Sequence, residues 1–269
     1  IDGKKTALFI LKNQNGMEVC ITNYGGRVVS LVVPDKEGKP TDVVLGFDNI
    51  KQYADTLNSP SDYGSTVGRY ANRINDGKIV INGDTIQLRQ NDTGNGAAHC
   101  LHGGGNTGWM NKVYDADQLN ETTLVLTLVS PDGDNGFPGE VKAKATFTVL
   151  PDNTLDIVME ATTDKETVIN MTNHSYFNLN GDPTKDGENM VLYVNADNYT
   201  PADSTYMTTG EIKPVEGTPM DFRAATPLSL NINNTEFDQT RNATCFDHNW
   251  CLNTYKDGKG DDKTVCASL

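Results

Sequence analysis

The chain has 269 residues and a formal net charge of −14, from 36 acidic against 22 basic side chains. Such a surface repels nucleic-acid phosphates and anionic membranes, and no block of Lys or Arg longer than two residues offers a local exception. No apolar run approaches the roughly 20 residues that span a bilayer, while 25 Gly and 11 Pro point to many turns and few long helices.

Period-two alternation dominates the chain, the pattern of half-buried strands. MEVCITNYGGRVVSLVVPD (17–35) reads as two strands broken at Gly25-Gly26. NIKQYADTL (49–57) is the best short helical candidate. KIVINGDTIQL (78–88) predicts a hairpin, because Asn-Gly between β-branched runs suits a two-residue turn in which both residues take positive φ. TTLVLTLVSPDGDNG (122–136) is a strand with a turn cluster, and KAKATFTVLPDNTLDIVMEATT (142–163) is a strand pair turning at Pro151-Asp152-Asn153. TVINMTNHSYFNL (167–179) and NMVLYVNADNY (189–199) complete the set. Strands that follow one another without intervening helices imply an antiparallel all-β fold. No fixed-period repeat and no obvious linker occurs, so one domain is expected.

In a regular strand over 167–179, Ile169, Met171, Phe177 and Leu179 share one face with Thr167, Asn173 and Ser175. The other face holds Val168, Asn170, Thr172, His174, Tyr176 and Asn178, with His174 and Tyr176 as neighbours. So polar a row suits either a solvated sheet face or the wall of a polar cleft. Three other motifs concentrate chemistry. GRYANRI (68–74) places two arginines and an asparagine within five residues, and the arginine fork matches vicinal hydroxyls or carboxylates as well as solvent. HCLHGGG (99–105) invites a metal reading, but its spacing fits neither a zinc finger nor a zincin, and its glycines suit a loop that presents a histidine to a small ligand. CFDHNW (245–250) joins Asp247, His248 and Trp250, either as a sugar-binding carboxylate and indole or as a turn with a half-buried tryptophan. The five cysteines lack C-x-x-C spacing and read as free thiols. There is no G-x-S-x-G, P-loop or dinucleotide fingerprint. The residues alone therefore suggest a cleft for a polyhydroxylated small molecule.

GRYANRI, LHGG (101–104), NHSYFNL (173–179) and FDHNW (246–250), in this order, resemble the signature of the aldose 1-epimerase (galactose mutarotase) family. TNYGGRVVSLVVPDKEGKPTDVVLGFD (22–48) resembles its amino-terminal strands, and the similarity runs from about Asn23 to Trp250. The resemblance implies a large antiparallel β-sandwich of the galactose mutarotase type with few short helices, one domain over residues 1–269. It implies interconversion of the α and β anomers of free hexoses such as galactose and glucose, with an aldohexose as partner and no metal or organic cofactor. His174 takes the place of the general acid that protonates the ring oxygen. Asn72, Arg73, His102, Tyr176 and Asp247 match sugar-contacting positions. The family's general base is a glutamate in a carboxy-terminal L-E-T-Q-like motif. No such motif occurs here, and Glu211, Glu216 and Glu236 precede the Asp247 motif, so the base and the rest of the family fold are expected beyond Leu269. A noncatalytic carbohydrate-binding protein, a hexose-phosphate epimerase and a glycoside hydrolase are the competing readings. The last needs two facing carboxylates, of which only Asp247 is motif-supported. A monomer or homodimer is expected. The free thiols favour a cytoplasmic setting, and the start at Ile1 leaves export with a removed signal peptide open.

Overall fold

A computed structural model of the protein describes residues 1, 3–58, 60–261 and 263–269. The chain divides into two compact units, Ile1–Thr93 with Ala97–Pro183 and Gly94–Gly96 with Thr184–Leu269. Strands dominate both, with two short α-helices among the described residues. None of these helices is long and apolar enough to cross a membrane.

The first unit opens with β1 (Leu8–Lys12), β2 (Glu18–Thr22), β3 (Arg27–Pro34) and β4 (Pro40–Asp42), an antiparallel sheet in chain order. Alternation explains its register: Leu11 lies opposite Val19, and Leu11, Val19, Ile21, Val28 and Leu31 are all buried. The expected break falls at Gly25-Gly26, where φ is +74° and +54°. A Cβ at Gly25 would stand 2.1 Å from the Met110 carbonyl oxygen, so glycine is required there on two counts. Helix α1 (Ile50–Ala54) follows, its first N–H groups capped by the Asn49 side chain.

Short strands come next: β5 (Thr66–Val67), β6 (Arg73–Ile74), β7 (Lys78–Ile81), β8 (Asp84–Gln87) and β9 (Cys100–Leu101). β7 and β8 form the predicted hairpin, with Asn82 and Gly83 both at positive φ as a tight turn demands. β9 pairs with β6 and buries Cys100, whose thiol is pushed up to about 11 by burial. A thiol kept neutral is a poor nucleophile. Iodoacetamide at pH 8.5 is therefore expected to leave Cys100 unmodified in the folded protein and to label it after denaturation, as peptide mass spectrometry would show.

A second antiparallel sheet runs in chain order through β10 (Asp115–Gln118), β11 (Thr123–Ser130), β12 (Val141–Val149) and β13 (Leu155–Thr163). The predicted pair β12–β13 turns at Pro151–Asn153. Leu124, Leu126, Val141, Ala145 and Phe147 share a buried cluster with Leu11, Ile21 and Val28 of the first sheet. This is the main core of the unit. Fully burying a side chain such as Phe147 contributes about 1.5–3 kcal/mol.

The reading of 167–179 as one regular strand needs correction. Only β14 (Thr172–Asn173) is a strand, paired to β5, with isolated bridges from Asn170 to Tyr70 and from Phe177 to Val44. Ile169 and Met171 pack on the main core, but Phe177 is 52% and Leu179 44% exposed, so the predicted apolar face does not continue. The cause is local: the Asn173 side chain accepts from the Ser175 N–H and donates to the Gly64 carbonyl, an Asx turn that ends the ladder.

The second unit contains β15 (Val191–Val194), β16 (Ala196–Thr200), β17 (Lys213–Pro214), β18 (Thr226–Pro227), helix α2 (Asp238–Ala243), β19 (Asn249–Leu252) and β20 (Ala267–Ser268). Its sheets run β18-β15-β20 and β17-β16-β19. The predicted strand over 189–199 is thus two strands broken at Asn195. There the backbone N–H donates to the Cys266 carbonyl while the carbonyl accepts from Asn253, so the chain changes partners.

Candidate active site

Two loops and one turn of the first unit converge on His174. Its backbone is fixed on both sides, because its N–H donates to the Ser65 carbonyl at 2.8 Å and its carbonyl accepts from the Gly64 N–H at 2.9 Å. The imidazole stacks on the Tyr176 ring, with centroids 5.1 Å apart and planes at 27°. The neighbours on one face of a regular strand are therefore neighbours in space, although the strand itself is absent. The His102 ring meets His174 edge-on, at 5.1 Å and 88°. His174 is 26% and His102 16% exposed, enough for a ligand to reach both and little enough for water to screen them weakly.

His102 owes its place to GRYANRI. The Asn72 N–H donates to His102 Nδ1 at 3.0 Å, and the His102 N–H donates to the Asn72 carbonyl at 3.1 Å. Both residues carry positive φ, 64° and 51°, at the ends of the paired strands β6 and β9. Gly103 allows this close approach, since a Cβ there would stand 2.2 Å from the Gly68 carbonyl oxygen. The Asn72 side chain also accepts from the Arg73 N–H at 2.7 Å. The Arg73 guanidinium, 16% exposed, donates from Nε to Asp92 at 2.6 Å. That pair holds the fork in one orientation.

The other arginine of the motif plays a different part. Arg69 is buried and donates to the Ser130 hydroxyl and to the carbonyls of Ser130, Pro131 and Pro138. It ties the β11–β12 connection to the segment between β5 and β6. His99 is likewise buried, and its Nδ1 accepts from the Asp76 N–H. Of the two histidines in HCLHGGG, one is structural and one faces the site.

Asp62 completes the cluster. Its carboxylate accepts from the Tyr176 hydroxyl at 3.1 Å and lies 3.4 Å from His174 Nε2 and 3.9 Å from His102 Nε2. Asp62, His102 and His174 each offer a metal-ligating atom, all within 4.8 Å of one another. The tautomer of His102 opposes that use. With Nδ1 accepting from Asn72, the neutral ring carries its proton on Nε2, the nitrogen a metal would need. The cluster is better suited to proton transfer and hydrogen bonding than to coordination.

Asp247 lies in the second unit, exposed, on the connection from α2 to β19. Its N–H donates to His248 Nδ1, and burial holds the His248 imidazole below its ordinary pKa. Trp250 is half-buried against Phe222 and Phe246 and donates its indole N–H to the Met220 carbonyl. The indole of CFDHNW is thus a core residue, as the turn reading has it.

Asp62 and Asp92 escaped sequence reasoning. Asp62 lies just ahead of GRYANRI in SDYG (61–64), a stretch with no recognised motif, and Asp92 is one of many acidic loop residues.

An all-β fold that gathers two histidines, a tyrosine and a carboxylate at one partly exposed site has the groups that acid–base chemistry on a small polar substrate requires. The sequence model described as aldose 1-epimerase matches residues 7–267. Galactose mutarotase of Rattus norvegicus is 37% identical over 253 residues, which cover 94% of this chain and 68% of that protein. Aldose 1-epimerase of Escherichia coli (strain K12) is 33% identical over 271 residues, covering 100% of this chain and 73% of that protein. Among solved structures, galactose 1-epimerase from Lactobacillus acidophilus NCFM superposes with a TM-score of 0.84 at 29% identity, covering 99% of this chain and 73% of that one. An aldose epimerase homologue from C. elegans gives a TM-score of 0.74 at 30% identity over 83% of this chain and 66% of that one. The chain spans about two thirds of the length of the relatives it matches. It belongs to the aldose 1-epimerase family, and its fold is that of the galactose mutarotases.

Proposed function

We propose that this protein interconverts the α and β anomers of free aldohexoses, galactose and glucose among them, by acid–base ring opening with His174 as the general acid. The observation that carries the reading is the packing of His174 against Tyr176 and His102 in one partly exposed cluster, within a chain of this family. Ring opening needs a proton on the ring oxygen while another leaves the anomeric hydroxyl. An imidazole titrates near neutral pH and can both give and recover that proton. Rotation about C1–C2 followed by the reverse transfers closes the ring on either face.

In this reading Arg73, Asn72, His102 and Tyr176 bind hydroxyls and fix the ring in register, which contributes orientation rather than proton transfer. Asp247 is proposed as a hydroxyl acceptor on the strength of its motif. The base is proposed to be a glutamate of the family's carboxy-terminal motif; Glu211, Glu216 and Glu236 are all exposed. A sugar phosphate would call for a concentration of basic groups, whereas Arg73 is paired with Asp92 and Arg69 is buried.

Polarimetry of freshly dissolved α-D-galactose tests the proposal. A protein that carries the carboxy-terminal base together with residues 1–269 is expected to speed the approach to the equilibrium rotation in proportion to its concentration, and an unchanged rate at micromolar enzyme would overturn the proposal. Releasing Arg73 should weaken sugar binding in particular. Asp92→Ala is expected to raise KM about 3- to 10-fold, the worth of one net hydrogen bond, with kcat changed less. A fall in kcat at constant KM would instead place Arg73 in the chemical step.

A further inference from the structure

Asp62 belongs to none of the motifs that carry the family resemblance, yet it faces three side chains of the site. Its two carboxylate oxygens divide the work. Oδ1 accepts from the Tyr176 hydroxyl at 3.1 Å. Oδ2 lies 3.4 Å from His174 Nε2 and 3.9 Å from His102 Nε2.

The backbone around Asp62 is held with unusual thoroughness for a loop. Arg27, buried completely, donates to the carbonyls of Ser61 and Tyr63 at 3.0 Å each and to that of Met110 at 2.8 Å. The Asp62 carbonyl between them accepts from both the N–H and the hydroxyl of Ser65, itself fully buried. Two residues on, the chain bonds to the backbone of His174 through Gly64 and Ser65. Asp62 and His174 therefore share one backbone support, and the Tyr176 hydroxyl adds a bond to the carboxylate itself. The side chain of Asp62 is 27% exposed, so the charge is only partly screened.

The geometry points to Asp62 as a positioning residue for the acid of the site: it holds the Tyr176 and His174 rings in their stacked arrangement and balances the charge of His174 while that residue carries the proton destined for the ring oxygen. His102, whose Nδ1 accepts from Asn72, carries its proton on Nε2, 3.9 Å from the same carboxylate, so a single acidic side chain lies against both histidines. The inference rests on the reading of His174 as the acid.

Asp62→Asn in the intact protein is the decisive variant, because an amide oxygen still accepts from Tyr176 while the charge is lost. We expect kcat for α-D-galactose to fall on the order of 10- to 100-fold, the usual cost of an ill-held catalytic group, with KM within about 2-fold. Asp62→Glu is expected to recover part of kcat. A structural role alone predicts no such split. The imidazoles report independently of turnover: of the four histidines, only His102 and His174 should change their nitrogen-15 resonances on Asp62→Asn, assigned by comparison with His99 and His248 variants. Wild-type kcat together with four unchanged imidazoles would overturn the inference. A wild-type protein without mutarotase activity would overturn the functional reading and the catalytic role of Asp62 with it, while the imidazole spectra would still decide whether the carboxylate holds both rings.

Discussion

His174→Gln is expected to lower kcat for mutarotation of α-D-galactose by about 10²–10⁴-fold, the range typical of losing one general acid. Glutamine preserves a polar, hydrogen-bonding side chain against the Tyr176 ring but has no proton to give near neutral pH. The backbone bonds of His174 to Ser65 and Gly64 do not involve its side chain, so the fold should persist. KM should stay within a few-fold, since Arg73, Asn72 and His102 are proposed to bind the sugar. Initial rates by polarimetry across a range of galactose concentrations separate the two constants. The outcome also discriminates between classes of protein, because a noncatalytic carbohydrate-binding protein would have no turnover to lose. A variant with full kcat would remove His174 from the chemical step.

The largest stability effect is expected at Arg27. Its guanidinium is fully buried, bonded to three carbonyls and covered by the Tyr24 and Tyr53 rings at 5.9 and 5.2 Å. Burial lowers its pKa, as desolvation disfavours the charged form of a base. Arg27→Met keeps most of the volume but strips donors from the Ser61, Tyr63 and Met110 carbonyls. Leaving such groups buried without partners, together with the loss of a bonded charge, is expected to cost about 3–5 kcal/mol. In a chain of this size that corresponds to roughly 6–20 °C in Tm, read by thermal or urea unfolding. Activity should fall as well, through the loop that carries Asp62. A variant within 1 kcal/mol of wild type would show that water replaces the guanidinium and that the loop holds itself.

The strands were legible where one rule governed. Alternation marked β2, β3, β11, β12 and β13, and Asn82-Gly83 marked the β7–β8 turn, because burial of one sheet face and positive φ at a turn act over a few residues. Alternation failed over 189–199, where the backbone of Asn195 changes partner from Cys266 to Asn253, and over 167–179, where the Asn173 side chain takes the Ser175 N–H and the Gly64 carbonyl. A side-chain amide that competes with the ladder leaves no mark on the hydrophobic pattern.

The same division runs through the site. Sequence alone named His174, Tyr176, His102, Asn72 and Arg73, since their motifs carry the family resemblance. It could not tell Arg69 from Arg73, two guanidinium groups four residues apart. One is buried under the carbonyls of the β11–β12 connection, and the other is partly exposed and paired with Asp92. Nor could it single out Asp62 among 36 acidic residues. Local chemistry determined which residue types the chain presents and which segments alternate. Only the tertiary structure decided which of them meet, because the contacts that join Asp62 to Tyr176 and Arg73 to Asp92 are made across separate loops, and the backbone that carries Asp62 is held by Arg27, a buried group distant in sequence.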